Sequence, residues 1–325
     1  MYRLALIVSA LLAAVPLYAG GTLLYMEAQA VGGYSSAEDD WLPYSMHPDD
    51  VMQKPSLGFD LTQRFSGAGG DIGLLALQGR IAYDENEDRR AEPQLYNAFI
   101  RLKPDIFDIW AGHGRPALGI SSYLDSHGVL LPALPMLGFG YDRDWGGGIA
   151  RQFERGDLAL SATTGSGMPL PRGRSFLAAA RASYGVLSQD NFNIGASAAY
   201  GDVYRTMGYA FMSEETVDFA AGGVDASLFW DRFELRFDAI AGKKDGEWAW
   251  ASLARLSLKL MDEERLRIEL QPARLHDGGM TRALYAGGIS FAFTGDLAAR
   301  MMYAYEETMG DHRVTGQLYY YVKVL

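Results

Sequence analysis

The residues able to break bonds are few and poorly spaced for it. There are five histidines (His47, His113, His127, His276 and His312) and no cysteine, so thiolate chemistry is absent. One run, Asp125-Ser126-His127, assembles acid, nucleophile and base. A Ser–His–Asp triad is a spatial arrangement, and consecutive side chains diverge, so this run predicts no barrel hydrolase. The sequence contains no H-E-x-x-H pair and no G-x-S-x-G elbow. Gly146-Gly147-Gly148 leads into no helix, so it predicts a close approach of backbone and not a phosphate loop. The expectation is no catalytic residue, no metal and no cofactor. What the chain offers in quantity is positive charge at alternate positions: Arg64, Arg80, Arg101, Arg151, Arg181, Arg236, Arg255 and Arg267. Acids in the same register are fewer, namely Asp60, Asp108, Asp225, Glu234, Asp238 and Glu269. Rings of charge around a water-filled lumen sort ions, and a basic excess predicts a wall that leans toward anions.

Such a wall needs strands with two unlike faces. Period-two alternation runs through nearly the whole chain. Leu57, Phe59, Leu61 and Phe65 alternate with Asp60, Thr62 and Arg64; Tyr96, Ala98, Ile100 and Leu102 with Asn97 and Arg101; Phe233, Leu235 and Phe237 with Glu234, Arg236 and Asp238. About sixteen such segments follow from this reading: 22–34, 56–66, 71–83, 94–103, 105–114, 145–153, 157–165, 175–186, 191–203, 215–230, 233–243, 247–260, 264–275, 281–293, 296–306 and 313–325. Their lengths suit tilted strands crossing a bilayer, and no stretch after the N-terminus is apolar for long enough to form a spanning helix. The parity shift at Gly222-Gly223 predicts a bulge. The links 35–55, 84–93, 115–144, 166–174, 204–214 and 307–312 are long, and most of the others are short. An even strand count puts both termini on the short-turn side. Tyr83, Tyr96, Trp110, Trp145, Tyr184, Trp230, Trp248, Trp250, Tyr303 and Tyr305 fall near strand ends, as an interfacial aromatic girdle requires. A soluble sandwich also alternates, but with shorter strands.

Residues 1–19 combine Arg3, an apolar run and Ala19 before Gly20-Gly21, which is the pattern of a cleaved signal peptide; a second possible cut follows Ala30. Residues 20–325 then form one transmembrane barrel domain. The net charge of −11 argues against a nucleic-acid partner. The acids gather in the long links, as in Asp39-Asp40, Asp49-Asp50 and Glu306-Glu307.

The chain resembles the sixteen-stranded general porins of Gram-negative outer membranes. The architecture carries the resemblance over the whole mature chain. Two local pieces sharpen it: Asp108-Ile109-Trp110-Ala111-Gly112-His113-Gly114-Arg115-Pro116-Ala117-Leu118-Gly119, similar to the strand end that leads into the third external loop, and Asp144-Trp145-Gly146-Gly147-Gly148 with Arg151 and Gly156-Asp157-Leu158, similar to the hairpin that follows it. The resemblance implies an all-β transmembrane barrel whose third loop folds into the lumen, a homotrimer, and contact with outer-membrane lipid and lipopolysaccharide. It also implies passive diffusion of small hydrophilic solutes. The link from Arg115 to Asp144 is the longest in the chain, and its Leu130, Leu131, Leu134, Leu137 and Phe139 would be ill placed in free solvent. Capping the mouth or making a subunit contact are the alternatives for it. We place Arg64, Arg80, Arg101 and Arg115 on the basic side of the constriction and Asp125 and Asp142 on the acidic side. A mixed lumen, in which arginines face Asp125, Asp142 or Asp144, is the competing electrostatic reading. A substrate-selective channel and a non-conducting structural or adhesion barrel are the competing functions. The chain departs from the family at its end, where Leu325 stands in place of an aromatic residue and Lys323 falls in the apolar register.

Overall fold

The computed structural model describes residues 18–42, 53–83, 91–125, 129–171 and 173–325. Seventeen strands form one sheet. In chain order these are β1 (Tyr18–Ser35), β2 (Asp40–Leu42), β3 (Ser56–Gly67), β4 (Gly70–Ala82), β5 (Glu92–Leu102), β6 (Asp108–Gly114), β7 (Asp144–Phe153), β8 (Gly156–Thr163) and β9 (Phe176–Tyr184). They continue with β10 (Phe192–Met207), β11 (Ala210–Trp230), β12 (Phe233–Lys244), β13 (Glu247–Leu260), β14 (Leu266–Asp277), β15 (Met280–Ala292), β16 (Leu297–Glu306) and β17 (Asp311–Lys323). The three-residue β2 is a short addition beside β1. The other sixteen close an antiparallel barrel, because β1 pairs with β3 on one side and β17 on the other. Closure leaves no row of unpaired backbone groups, the condition a sheet must meet in hydrocarbon. The seam runs from Tyr25 opposite Lys323 to Ser35 opposite Arg313. Leu24 also donates its N–H to the carbonyl of Leu325 at 3.1 Å, so the strand finishes on leucine without loss of pairing. Across the seam Tyr25 stacks on Tyr321 at 4.7 Å.

The outer face is apolar as the alternation predicts. Leu57, Ile81, Leu158, Leu235, Phe237, Leu256, Leu270 and Leu318 are exposed on it, with Tyr184, Trp230 and Trp248 near the strand ends. Three expectations change. Tyr96 and Trp110 do not join the girdle. Gln78 pairs with Asn97 and Gly79 with Leu95, so Tyr96 is the extra residue of a bulge and turns inward, 1 % exposed. Trp110 is in register with Arg101 and lines the bore. The pairing of β11 runs unbroken through Gly222 and Gly223, so no bulge exists there. The apparent parity shift arises because Val217 and Phe219, inside the barrel, are apolar too. Gly223 is needed for proximity: a Cβ there would lie 2.7 Å from the carbonyl oxygen of Ala239. The link 204–214 is mostly strand, with β10 and β11 continuing to a two-residue turn and a register shift at Tyr204/Thr206.

Long connections cluster at one end of the barrel only between β1 and β9. Beyond β10 both ends have tight turns. Residues 1–17 lie outside the described residues. Tyr18 and Ala19 open β1, with a register step before Gly21 and continuous pairing from there to Gln29.

Candidate functional site

Residues 115–125 and 129–143 lie inside the barrel. One sector of the inner wall, from β9 to β14, is apolar at the depth of this segment. Leu177, Val203, Phe219, Ile240, Leu253 and Leu275 point inward there and pack against Leu118, Leu134, Leu137 and Phe139. Full burial of such a side chain contributes about 1.5–3 kcal/mol, so this contact fixes the loop to the wall. A second cluster sets Leu130 and Leu131 against Ala286, Met302 and Ala304.

Side chains of the same sector, together with Ser161 of β8, satisfy the loop's backbone. Ser161 Oγ accepts from Ala117 N–H at 2.9 Å, Ser197 Oγ from Gly119 N–H at 3.2 Å and Asp238 from Ile120 N–H at 3.3 Å. Gly119 has φ +59°, and a Cβ would sit 3.0 Å from the Asp238 carboxylate, so only glycine fits. Arg255 donates to the carbonyls of Leu131 at 3.0 Å and Pro132 at 3.2 Å, and Gln271 donates to Pro132 at 2.8 Å. A buried loop needs such partners for its polar backbone.

The opposite sector, β17–β1–β3–β4–β5 with Arg300 of β16, is polar and interlinked. Arg80 Nε donates to Gln94 at 2.6 Å, Gln94 to Glu92 at 2.7 Å, and Lys54 to Glu92 at 3.0 Å. Gln29 donates to the Lys54 carbonyl at 2.6 Å, and Gln317 to Gln29 at 2.7 Å. Arg300 donates to Gln317 at 2.8 Å and lies over the Tyr319 ring, whose hydroxyl donates to Glu27 at 3.2 Å. Gln53 donates to the carbonyl of Val129 at 2.6 Å, which ties the first link, the loop and this wall together.

The proposed site residues fall into distinct positions. Arg115 and Asp125, expected on opposite sides of the bore, pair at 2.9 Å within the loop. Asp142 pairs with Arg143 at 2.9 Å and accepts from Tyr96 Oη at 2.9 Å. Arg80, Arg181 and Arg255 line the inner wall but are buried. Arg181 contacts Asp225 at 2.7 Å, Asp157 at 3.3 Å and the ring of Tyr123. Arg236 pairs with Glu234, and Arg267 approaches Glu234 at 3.8 Å. Arg101 lies over Phe99, and it and Arg64 have no ion pair among the described residues. Arg151 departs from the expected face: it is in register with Leu158 and sits over the exposed Phe153, on the outer surface. The parity of β7 is set by Gly148 and Ala150 facing in, which sends Arg151 out.

The side chain at the centre of this network was not singled out from the sequence. Arg143 is fully buried, 4.2 Å over Tyr96, and donates to Asn97 at 2.8 Å and Asp125 at 3.2 Å. Burial opposes its charge, but Asp142, Tyr96 and Asp125 outweigh it and hold its pKa above arginine's ordinary value. Its signal in the sequence is the acid–base–acid run Asp142-Arg143-Asp144 where the loop re-enters the sheet. Ser126, His127 and His47 lie outside the described residues. Of the other histidines, His113 is buried against Trp145, and among the described residues no group of three His, Cys, Asp or Glu could hold a metal. On the short-turn side of the loop a cavity of about 710 Å³ opens, lined by Arg101, Arg115, Arg181, Asp60, Asp108 and Trp110, among others.

No family model matches the sequence, and no curated protein matches it. Solved structures do. OmpT, an outer membrane protein of Vibrio cholerae, in its trimer form, superposes with a TM-score of 0.66 at 10 % identity, covering 94 % of this chain and 100 % of that one. The anion-selective porin from Comamonas acidovorans gives 0.63 at 11 % identity, covering 93 % and 99 %. Salmonella typhi OmpF, in complex with daunomycin, gives 0.63 at 10 % identity, covering 93 % and 97 %. At these identities the likeness is one of fold, and the fold of this chain is the porin barrel.

Proposed function

We propose that this porin-fold barrel is a passive diffusion channel for small hydrophilic solutes in the outer membrane of a Gram-negative bacterium. The observation that carries the reading is a closed barrel with an inward-folded loop and a charge-lined cavity of about 710 Å³ beside it. No bond is made or broken, and the barrel works by the width and charge of its bore. Because Arg80, Arg181, Arg236 and Arg255 already have acidic or amide partners, the anion preference is weak and rests on Arg101 and Arg64. The long-loop end is external, among lipopolysaccharide, and three copies assemble by their outer faces, as the trimer form of the Vibrio cholerae protein suggests.

Export uses a signal peptide cut after Ala19. The alternative cut after Ala30 would remove the β1 residues that pair with both β3 and β17, leaving two strand edges open in lipid. N-terminal sequencing of the membrane-extracted protein gives Gly20 on this reading. Single-channel recording in a planar bilayer under a salt gradient tests the function: stepwise conductance with a small reversal potential of anion sign is expected. Folded protein that never conducts would overturn the channel in favour of a structural barrel.

A further inference from the structure

A second concavity, of about 380 Å³, lies on the long-loop side of the inward loop, apart from the 710 Å³ cavity. Its walls are the return arm of the loop and the inner ends of β10, β11, β12, β14 and β15. The body is apolar: Leu137, Met168, Val203, Met212, Val217 and Phe219 line it. Two of these are thioethers, which adapt their shape to what they contact. Leu137, Met168, Val203 and Phe219 are buried, so the open apolar surface comes chiefly from Met212 and Val217, and concave apolar sites with a few placed charges are where small ligands bind.

The charges along one edge alternate in sign. Lys244 Nζ donates to Asp277 at 2.6 Å and to the Gly138 carbonyl at 3.1 Å. Arg282 approaches Glu306 at 3.5 Å. The side chains of Asp277 and Arg282 are 34 % and 27 % exposed, and both line the concavity. Arg205 also lines the concavity, so a cation entering here meets Asp277 as its complement and an anion meets Arg205 and Arg282. A molecule carrying both charges meets a complement for each.

We propose that this concavity is a subsite for small zwitterions with apolar side chains, that is, apolar α-amino acids and dipeptides. The ammonium group lies at Asp277, the carboxylate at Arg282, and the side chain against Met212, Val217 and Phe219. The inference deepens the channel reading by naming a solute class captured before the inward loop.

Leucyl-leucine is the probe, titrated calorimetrically into detergent-folded protein and added to the long-loop side of single channels. The expected result is binding at least tenfold tighter than that of glycyl-glycine, which has the same charges, and of N-acetyl-leucyl-leucine amide, which has none. Asp277→Asn weakens leucyl-leucine at least tenfold and strengthens N-acetyl-leucine, because Lys244 loses its partner. Arg282→Gln, at the other charge, weakens leucyl-leucine and does not strengthen the anion. Equal binding of the three dipeptide probes, or none, overturns the subsite. The same loss for zwitterion and anion in Asp277→Asn overturns it too, since that is the mark of a collapsed mouth. Conductance without binding or interruptions removes the subsite and leaves the channel; binding without conductance does the reverse.

Discussion

The two walls of the bore hold their shape by different physics. From β9 to β14 the inner face meets the loop through Leu, Ile, Val and Phe, with contact area supplying the strength and direction mattering little. From β17 through β1 and β3 to β5, with Arg300 of β16, the inner face is a chain of amides, carboxylates and arginines in which nearly every bond has a required partner and angle. The first wall decides whether the loop is inside. The second decides what a solute beside it encounters. On the channel reading proposed above, the two sectors divide the setting of the bore from the screening of solutes, and substitutions in the two should have separable effects.

The largest effect is expected from the apolar wall. Leu137→Ala with Phe139→Ala removes two of its loop anchors, and such truncations cost about 2–5 kcal/mol each in a packed core. The loop should then leave the wall, and single-channel conductance should rise with open-state noise, while the barrel still resists heating in detergent. Next comes Arg143→Ala, which strips a fully buried cation from Asp142 and leaves that carboxylate 8 % exposed. Breaking a buried pair on one side costs about 3–5 kcal/mol, so the temperature of heat-modified migration on gels should fall. In the polar wall, Gln94→Leu removes the acceptor of Arg80 Nε and the donor to Glu92 at a cost of about 1–3 kcal/mol. Its expected reading is altered ion selectivity with conductance nearly unchanged. The smallest effect is that of Arg101→Gln, a shift of reversal potential toward cations without loss of stability, since Arg101 contributes to no ion pair among the described residues. If Gln94→Leu instead opened the pore and Leu137→Ala with Phe139→Ala changed only selectivity, the division of labour would be reversed.

The strands were legible because lipid imposes a strict period on the outer face: all sixteen long strands coincide with alternating segments such as 233–243 and 247–260. The inner face imposes no such rule. Ala249, Ala251 and Leu253 face the loop while Trp248 and Trp250 face outward, so both parities are apolar and the alternation loses its contrast. Tyr96 was misread because one bulge residue reverses a face without leaving any mark in the sequence. The inward fold of residues 115–125 and 129–143 was legible from its own leucines. The ion pairs were not, because Arg115, Asp125, Asp142 and Arg143 meet only through a path of the loop that spacing does not encode.

The seam between β1 and β17 places the first and last strands side by side. Tyr25 and Lys323 are neighbours although roughly 300 residues separate them, a pairing that comes late and slowly in any folding sequence. Until β17 exists, β1 and β16 each lack a partner, and no smaller ring is available to them. β17 thus acts as the closing element: without it the sheet stays an open ribbon, and with it the ribbon becomes a cylinder.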